Sequence, residues 1–206
     1  RQFLLYVFVL LVPCFVLWSV GSGSLQTPAV GLVHLTLTHW FPDIVNGLFT
    51  YGANALLMTE FGEQGGQPVA LAEASHRLGF QLNPRILTYS MPFYTALYFA
   101  TPRDNYLANY LWGLLILYAL ATFGLLWLCL KELMVNLGGL FMEQPGVVVP
   151  GTNLIGLLYQ FNVLVLPTLA PAAVWLWQSK DSPLLAEMLG PRRGECVQEQ
   201  TEGNRV

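Results

Sequence analysis

The chain has 206 residues, 54% of them hydrophobic and 10% charged, with a formal net charge of −3 and a mean hydropathy of +0.52. Soluble domains carry about 25% charged residues, so a composition this poor in charge cannot coat a water-facing surface. It has no basic patch to serve as a nucleic-acid footprint, and its three cysteines, Cys14, Cys129 and Cys196, form neither a Cys-x-x-Cys pair nor the Cys/His spacing of a zinc site.

The apolar runs predict an all-α polytopic membrane protein with four transmembrane helices and a small α/β cap between the first two, since a helix needs roughly 20 apolar residues to cross ~30 Å of hydrocarbon. Residues 1–20 form the first span, with its apolar run at Phe3–Val20 and a kink at Pro13. The run reads as a retained helix, because no small-residue cleavage site follows it. Residues 21–85 form the cap, periplasmic in a bacterium. Gly21–Ser24 reads as a flexible exit, and Pro28–Trp40 as an amphipathic or interfacial helix with Val30, Val33, Leu37 and Phe41 at helical spacing. Pro42 and Asp43 restart a helix that continues to Tyr51-Gly52. His34, His39, Asp43, Asn46 and Asn54, with Pro42 in the middle, argue against a fifth span over residues 29–58. Short apolar pieces at Ala55–Phe61, Pro68–Ala72 and Phe80–Leu82, with a turn signal at Gly65-Gly66, predict a hairpin or three-stranded sheet whose turn exceeds two residues.

The second span, residues 86–101, opens at Asn83-Pro84-Arg85 and contains Pro92. The third, residues 106–130, ends at Lys131-Glu132, and a periplasmic loop follows over 131–153. The fourth is 154–177, with Pro167 and Pro171, and 178–206 is a cytoplasmic, largely disordered tail. Counting Lys and Arg near the span ends places Arg1, Arg103, Lys180, Arg192, Arg193 and Arg205 inside and Arg77, Arg85 and Lys131 outside, which favours both termini in the cytoplasm.

An ionisable residue inside a membrane is a default pointer to function, and the four spans contain almost none. Gln160 and Asn162 are the deepest amides, read as interhelical hydrogen-bonding groups. His34, His39 and His76 fall in the cap and read as packing residues; His34 and His39 lack the i,i+4 spacing of a metal pair. Cys14 and Cys129 read as small hydrophobes. Two alternatives stay open for them: a thiol nucleophile with His34 or His39 as base and Arg85 as anion stabiliser, or a disulfide between them. No catalytic residue, metal ligand or cofactor site is assigned. The candidate partner-binding residues are Trp40; Asn83, Pro84, Tyr89 and Pro92, where a cap and a broken backbone ladder suggest a groove in the outer half of the membrane; and Gly113 and Ala121, which with Ala119 and Gly124 make the third span small enough for close helix approach.

Asn83, Pro84, Tyr89, Met91, Pro92, Ala96 and Leu97 together resemble a pattern in the bacterial exosortase H-associated membrane proteins. Val12–Trp18 is similar to that family's first helix, and Trp40-Phe41-Pro42 to the start of its exterior cap. Ser90-Met91 stands where the family pattern has a glycine and a leucine before the proline. The resemblance covers most of residues 1–178. It implies a non-enzymatic accessory subunit of the bacterial inner membrane that accompanies an exosortase, a polytopic cysteine transpeptidase acting on proteins with a C-terminal motif, span and basic cluster. The implied partners are membrane lipid, an exosortase-like membrane protein and substrate C-terminal sorting helices, with no nucleic acid. The resemblance transfers no catalytic residue. A membrane thiol peptidase or transferase, and a structural subunit of a secretion or conjugation apparatus, remain the alternatives.

Overall fold

The computed structural model describes residues 2–72, 74, 76–101, 106–143 and 147–180. The chain opens with helix α1, Gln2–Trp40, whose 39 residues run without a break. At 1.5 Å per residue it is about 58 Å long, nearly twice the ~30 Å of a hydrocarbon layer. The flexible exit expected at Gly21–Ser24 and the separate helix expected at Pro28 are therefore both parts of α1. Packing overrides the poor helix propensity of Gly-Ser-Gly-Ser. Ser22, Gln26, Ala29, Val30, Val33 and Leu37 recur at three- to four-residue spacing and are all buried, so one stripe of the helix is committed to neighbours along its upper half. The hydroxyls of Ser22 and Thr27 bond back to the carbonyls of Ser19 and Gly23, away from competing conformations.

After α1 comes a four-stranded antiparallel sheet: β1 Val45–Tyr51, β2 Asn54–Gln64, β3 Gln67–Ala70 and β4 His76–Leu82. The helix expected from Pro42 to Gly52 is in fact β1. Its two-residue turn to β2 has Gly52 at φ 59°, with Tyr51 opposite Asn54; a glycine of positive φ in the first central position is what a twisted hairpin requires. Gly65 and Gly66 both have positive φ and join Gln64 to Gln67, so the second turn is also two residues long, shorter than expected. β2 is central, with β1 along its first half, β3 along its second and β4 on the other edge. Alternate residues Ala55, Leu57 and Thr59 of β2 are fully buried, which turns one face of the sheet inward.

The expected second span is two short helices, α2 Arg85–Thr88 and α3 Ser90–Phe99, meeting at Tyr89. Pro92 lies in the first turn of α3, where a missing N–H breaks no bond, so the interruption falls three residues earlier than the proline. Arg85 to Phe99 rises about 22 Å. Among the described residues, three helices suit a membrane crossing by length and apolarity, and this pair is not among them. The first is α1. The second is α4, Tyr106–Leu137, which continues past Lys131-Glu132 because Leu133 and Leu137 stay buried. A short α5, Gly139–Met142, follows. The third is the continuous run of α6 Thr152–Gln160, a π segment Phe161–Val165 and α7 Leu166–Ser179.

Among the described residues, two apolar clusters hold the fold together. In the upper one, Val33, Leu37 and Phe41 meet Ile44, Leu48 and Leu57 of the sheet region, Leu125, Leu130, Leu133 and Leu137 of α4, Phe141 and Ile155. The lower one gathers Val7, Tyr94, Leu97, Tyr98, Leu117, Ala170, Val174 and Trp175. α1 and α4 contribute to both, so sheet and helices share a frame.

Candidate docking surface

The sequence-predicted partner residues fall into two groups. Gly113 and Ala121 face inward. A Cβ on Gly113 would lie 2.0 Å from the Tyr94 hydroxyl and 2.3 Å from its Cζ, and Ala121 is 7% exposed within the upper cluster. Their smallness serves contacts within this chain. Gly124 behaves likewise, its ideal Cβ meeting Leu87 Cδ2 at 2.9 Å. Pro84 and Pro92 are buried, Tyr89 is half-buried and Asn83 is exposed. The capping expected of Asn83 is present, its Oδ1 accepting the Arg85 N–H at 3.1 Å. Trp40 stacks on Phe41 with centroids 4.9 Å apart.

Tyr94 is held by both its hydroxyl and its ring. Its hydroxyl donates to Gln178 Oε1 at 2.7 Å, Gln178 Nε2 donates to the Asn109 carbonyl at 2.8 Å, and its ring stacks on Tyr110 at 5.9 Å and 4°. Nearby, Trp175 Nε1 donates to Thr101 Oγ1 at 2.9 Å. These bonds bring the end of α3, the start of α4 and the end of α7 to one level. At the opposite level Gln26 Nε2 donates to Thr88 Oγ1 at 3.5 Å, and Leu87, Gly124 and Asn162 meet. Between Asn109 and Gly124, α4 rises about 22 Å.

The exposed apolar surface is shaped where α1 and α4 separate. A groove of about 420 Å³ runs there, lined by Leu32, Val33 and Thr36 of α1 and by Leu115, Ala119, Thr122 and Phe123 among the residues of α4. A second, open groove of about 840 Å³ continues along α1 past Leu35, Thr36, His39 and Trp40 to Pro42, Val147 and Val148. Thr36 lines both, so they form one track from the helices to the far end of the cap. Leu32, Leu35, Leu115 and Val148 are each more than half exposed beside it. Of the small residues on α4, Ala119 lies on this outer track, whereas Gly113 and Ala121 lie behind it.

The residues weighed for thiol chemistry are dispersed. Cys129 is 0% exposed inside the upper cluster, Cys14 is half-buried on the lower half of α1, and both are free thiols, so the pairing left open by the sequence is not formed. Cys196 lies outside the described residues. The His34 Nδ1 accepts the Leu48 N–H at 3.0 Å, tying β1 to α1, a role nothing in the local sequence announced. His39 lines the outer groove and His76 is exposed on β4. Among the described residues no three His, Cys, Asp or Glu side chains gather as metal ligands would.

Long apolar helices carrying a small sheet on their extended ends define a membrane protein with a built-in cap. Its sequence, over residues 1–182, matches the family of exosortase H-associated membrane proteins, and the chain belongs to that family. No curated protein and no solved structure matches it.

Proposed function

We propose that the protein is a non-enzymatic accessory subunit that binds an exosortase-type cysteine transpeptidase in the bacterial inner membrane and shapes access to its exterior active site. The family match over residues 1–182 carries this reading. In it, the α1–α4 track receives a helix of the enzyme, or of a substrate's C-terminal sorting segment, and the sheet stands over the exterior leaflet. The 21–85 segment is then periplasmic, with both termini in the cytoplasm. The α2–α3 pair completes a four-helix layer as a short crossing buried against α1, α4 and α7, where protein neighbours cover its broken backbone at Tyr89.

The test places a photo-crosslinking amino acid at Thr36, Ala119 or Thr122, with Val9 on the lower half of α1 as control. The tagged chain is then purified from its native host in mild detergent and its adducts identified. Adducts to an exosortase from the three track positions, absent at Val9, are expected. Co-purification of an exosortase without track adducts would move the docking face elsewhere. Recovery of a clean homo-oligomer would overturn the accessory-subunit reading.

A further inference from the structure

The break between α2 and α3, α4 and the π segment enclose a small pocket of about 10 Å³, lined by Leu87, Ser90, Leu117, Ala121, Asn162 and Pro167 among others. A single water needs about 10–15 Å³ by this measure and two or more polar partners. The partners are there. Asn162 is 2% exposed; its Nδ2 donates to the Leu158 carbonyl of its own helix at 2.7 Å, while its Oδ1 is wholly buried and accepts from no protein donor. The bond expected of Asn162 between helices is thus within one, and half of its amide is left unsatisfied. Ser90 is 3% exposed, and its hydroxyl donates to the Leu87 carbonyl at 3.3 Å, leaving its own lone pairs to accept.

Local backbone adds to the demand. In the π register the Leu166 N–H donates to the Phe161 carbonyl, five residues back. The next donor in that register is Pro167, which has no N–H, so the Asn162 carbonyl is denied its five-residue partner. The π register therefore cannot continue past Leu166.

We infer that this pocket holds one ordered water, which donates one hydrogen to Asn162 Oδ1 and the other to Ser90 Oγ. The water joins the start of α3 to the π segment at the level where both helices depart from regular geometry. An apolar pocket of this size would stay dry; this one has its acceptors already in place and lacks donors, and water supplies two.

The test uses the full chain in bilayers of deuterated lipid and measures magnetisation transfer from water to assigned side chains by magic-angle-spinning NMR. The Asn162 side-chain amide is expected to build up several-fold faster than the methyls of Leu130, which is 0% exposed and does not line the pocket. In Ser90→Ala that transfer should fall, and in Asn162→Leu, which fills the pocket, transfer to neighbouring Leu166 should fall to the Leu130 rate. Build-up at Asn162 no faster than at Leu130 in the unmodified chain would show a dry pocket and overturn the inference. Unchanged transfer in Ser90→Ala would overturn the two-point bridge. The measurement on the unmodified chain stands even if a variant fails to fold.

Discussion

Gly113→Ala tests whether the small residues of α4 serve this chain or a partner. The new methyl would sit 2.0 Å from the Tyr94 hydroxyl and 2.3 Å from Cζ, where ordinary contact needs well over 3 Å. The ring cannot step aside, because Tyr94 is 0% exposed, stacked on Tyr110 and bonded to Gln178. Overpacking of this kind costs about 1–3 kcal/mol, and loss of the Gln178 bond about 1 kcal/mol more. The better helix propensity of alanine returns up to ~1 kcal/mol. The net expectation is a loss of about 1–3 kcal/mol, a roughly 5- to 150-fold shift toward the unfolded state. Reversible unfolding in mixed detergent micelles, followed by tryptophan fluorescence, measures it. The sign should change in a Tyr94→Ala background, where the clash is gone and Gly113→Ala should stabilise by up to ~1 kcal/mol. A Gly113→Ala chain as stable as its parent that no longer captures its partner would refute the reasoning and return Gly113 to an intermolecular face.

His34→Ala should leave the Leu48 N–H without its acceptor and cost about 1–3 kcal/mol, seen as faster hydrogen exchange at Leu48 than at Leu57; equal protection in the two proteins would show that β1 is held without the histidine. Cys14→Ala and Cys129→Ala should retain partner capture and substrate processing, and a membrane-impermeant maleimide should label neither thiol in the folded protein. Rapid labelling with loss of processing would instead favour a thiol enzyme. A cysteine placed at Gly65, in the β2–β3 turn, should react with that reagent in intact spheroplasts while one at the exposed Lys180 does not; the reverse pattern would invert the proposed topology. Thr101→Val should cost about 1 kcal/mol by freeing the buried Trp175 N–H, read out in the same unfolding assay.

How legible these features were depended on whether their cause was local. The core of α4 announces itself by composition, and Gly65-Gly66 announces a turn because only glycine accepts positive φ at both positions cheaply. By sequence α1 divides at Gly21–Ser24, which has the local preferences of a linker; the buried stripe that keeps it helical depends on a sheet and helices far along the chain. The Pro42-Asp43 start signal predicts a helix where β1 stands; its strand is imposed by pairing with β2. Gly113 and Ala121 were recognised as small residues meant for close approach, but sequence does not say which neighbour approaches. The track between α1 and α4 has no motif, since it arises where two helices diverge. Asn162 is visible in the sequence as a deep amide; the π segment around it is not, because a proline at 167 does not by itself distinguish a π turn from a kink.

The unbroken course of α1 makes the molecule a gauge of height. The β1–β2 turn touches it near Gly23, where a Cβ would meet the Gly52 carbonyl at 3.2 Å, and the sheet's base leaves it at Phe41. From Gly23 to Phe41 the axis rises about 27 Å, so whatever meets the sheet does so within a layer of set thickness above the lower bundle. The same rod is a lever: a 10° tilt about its first turn carries Trp40 about 10 Å sideways. Because α1 packs in both apolar clusters, such a tilt would carry the cap and the lower bundle together.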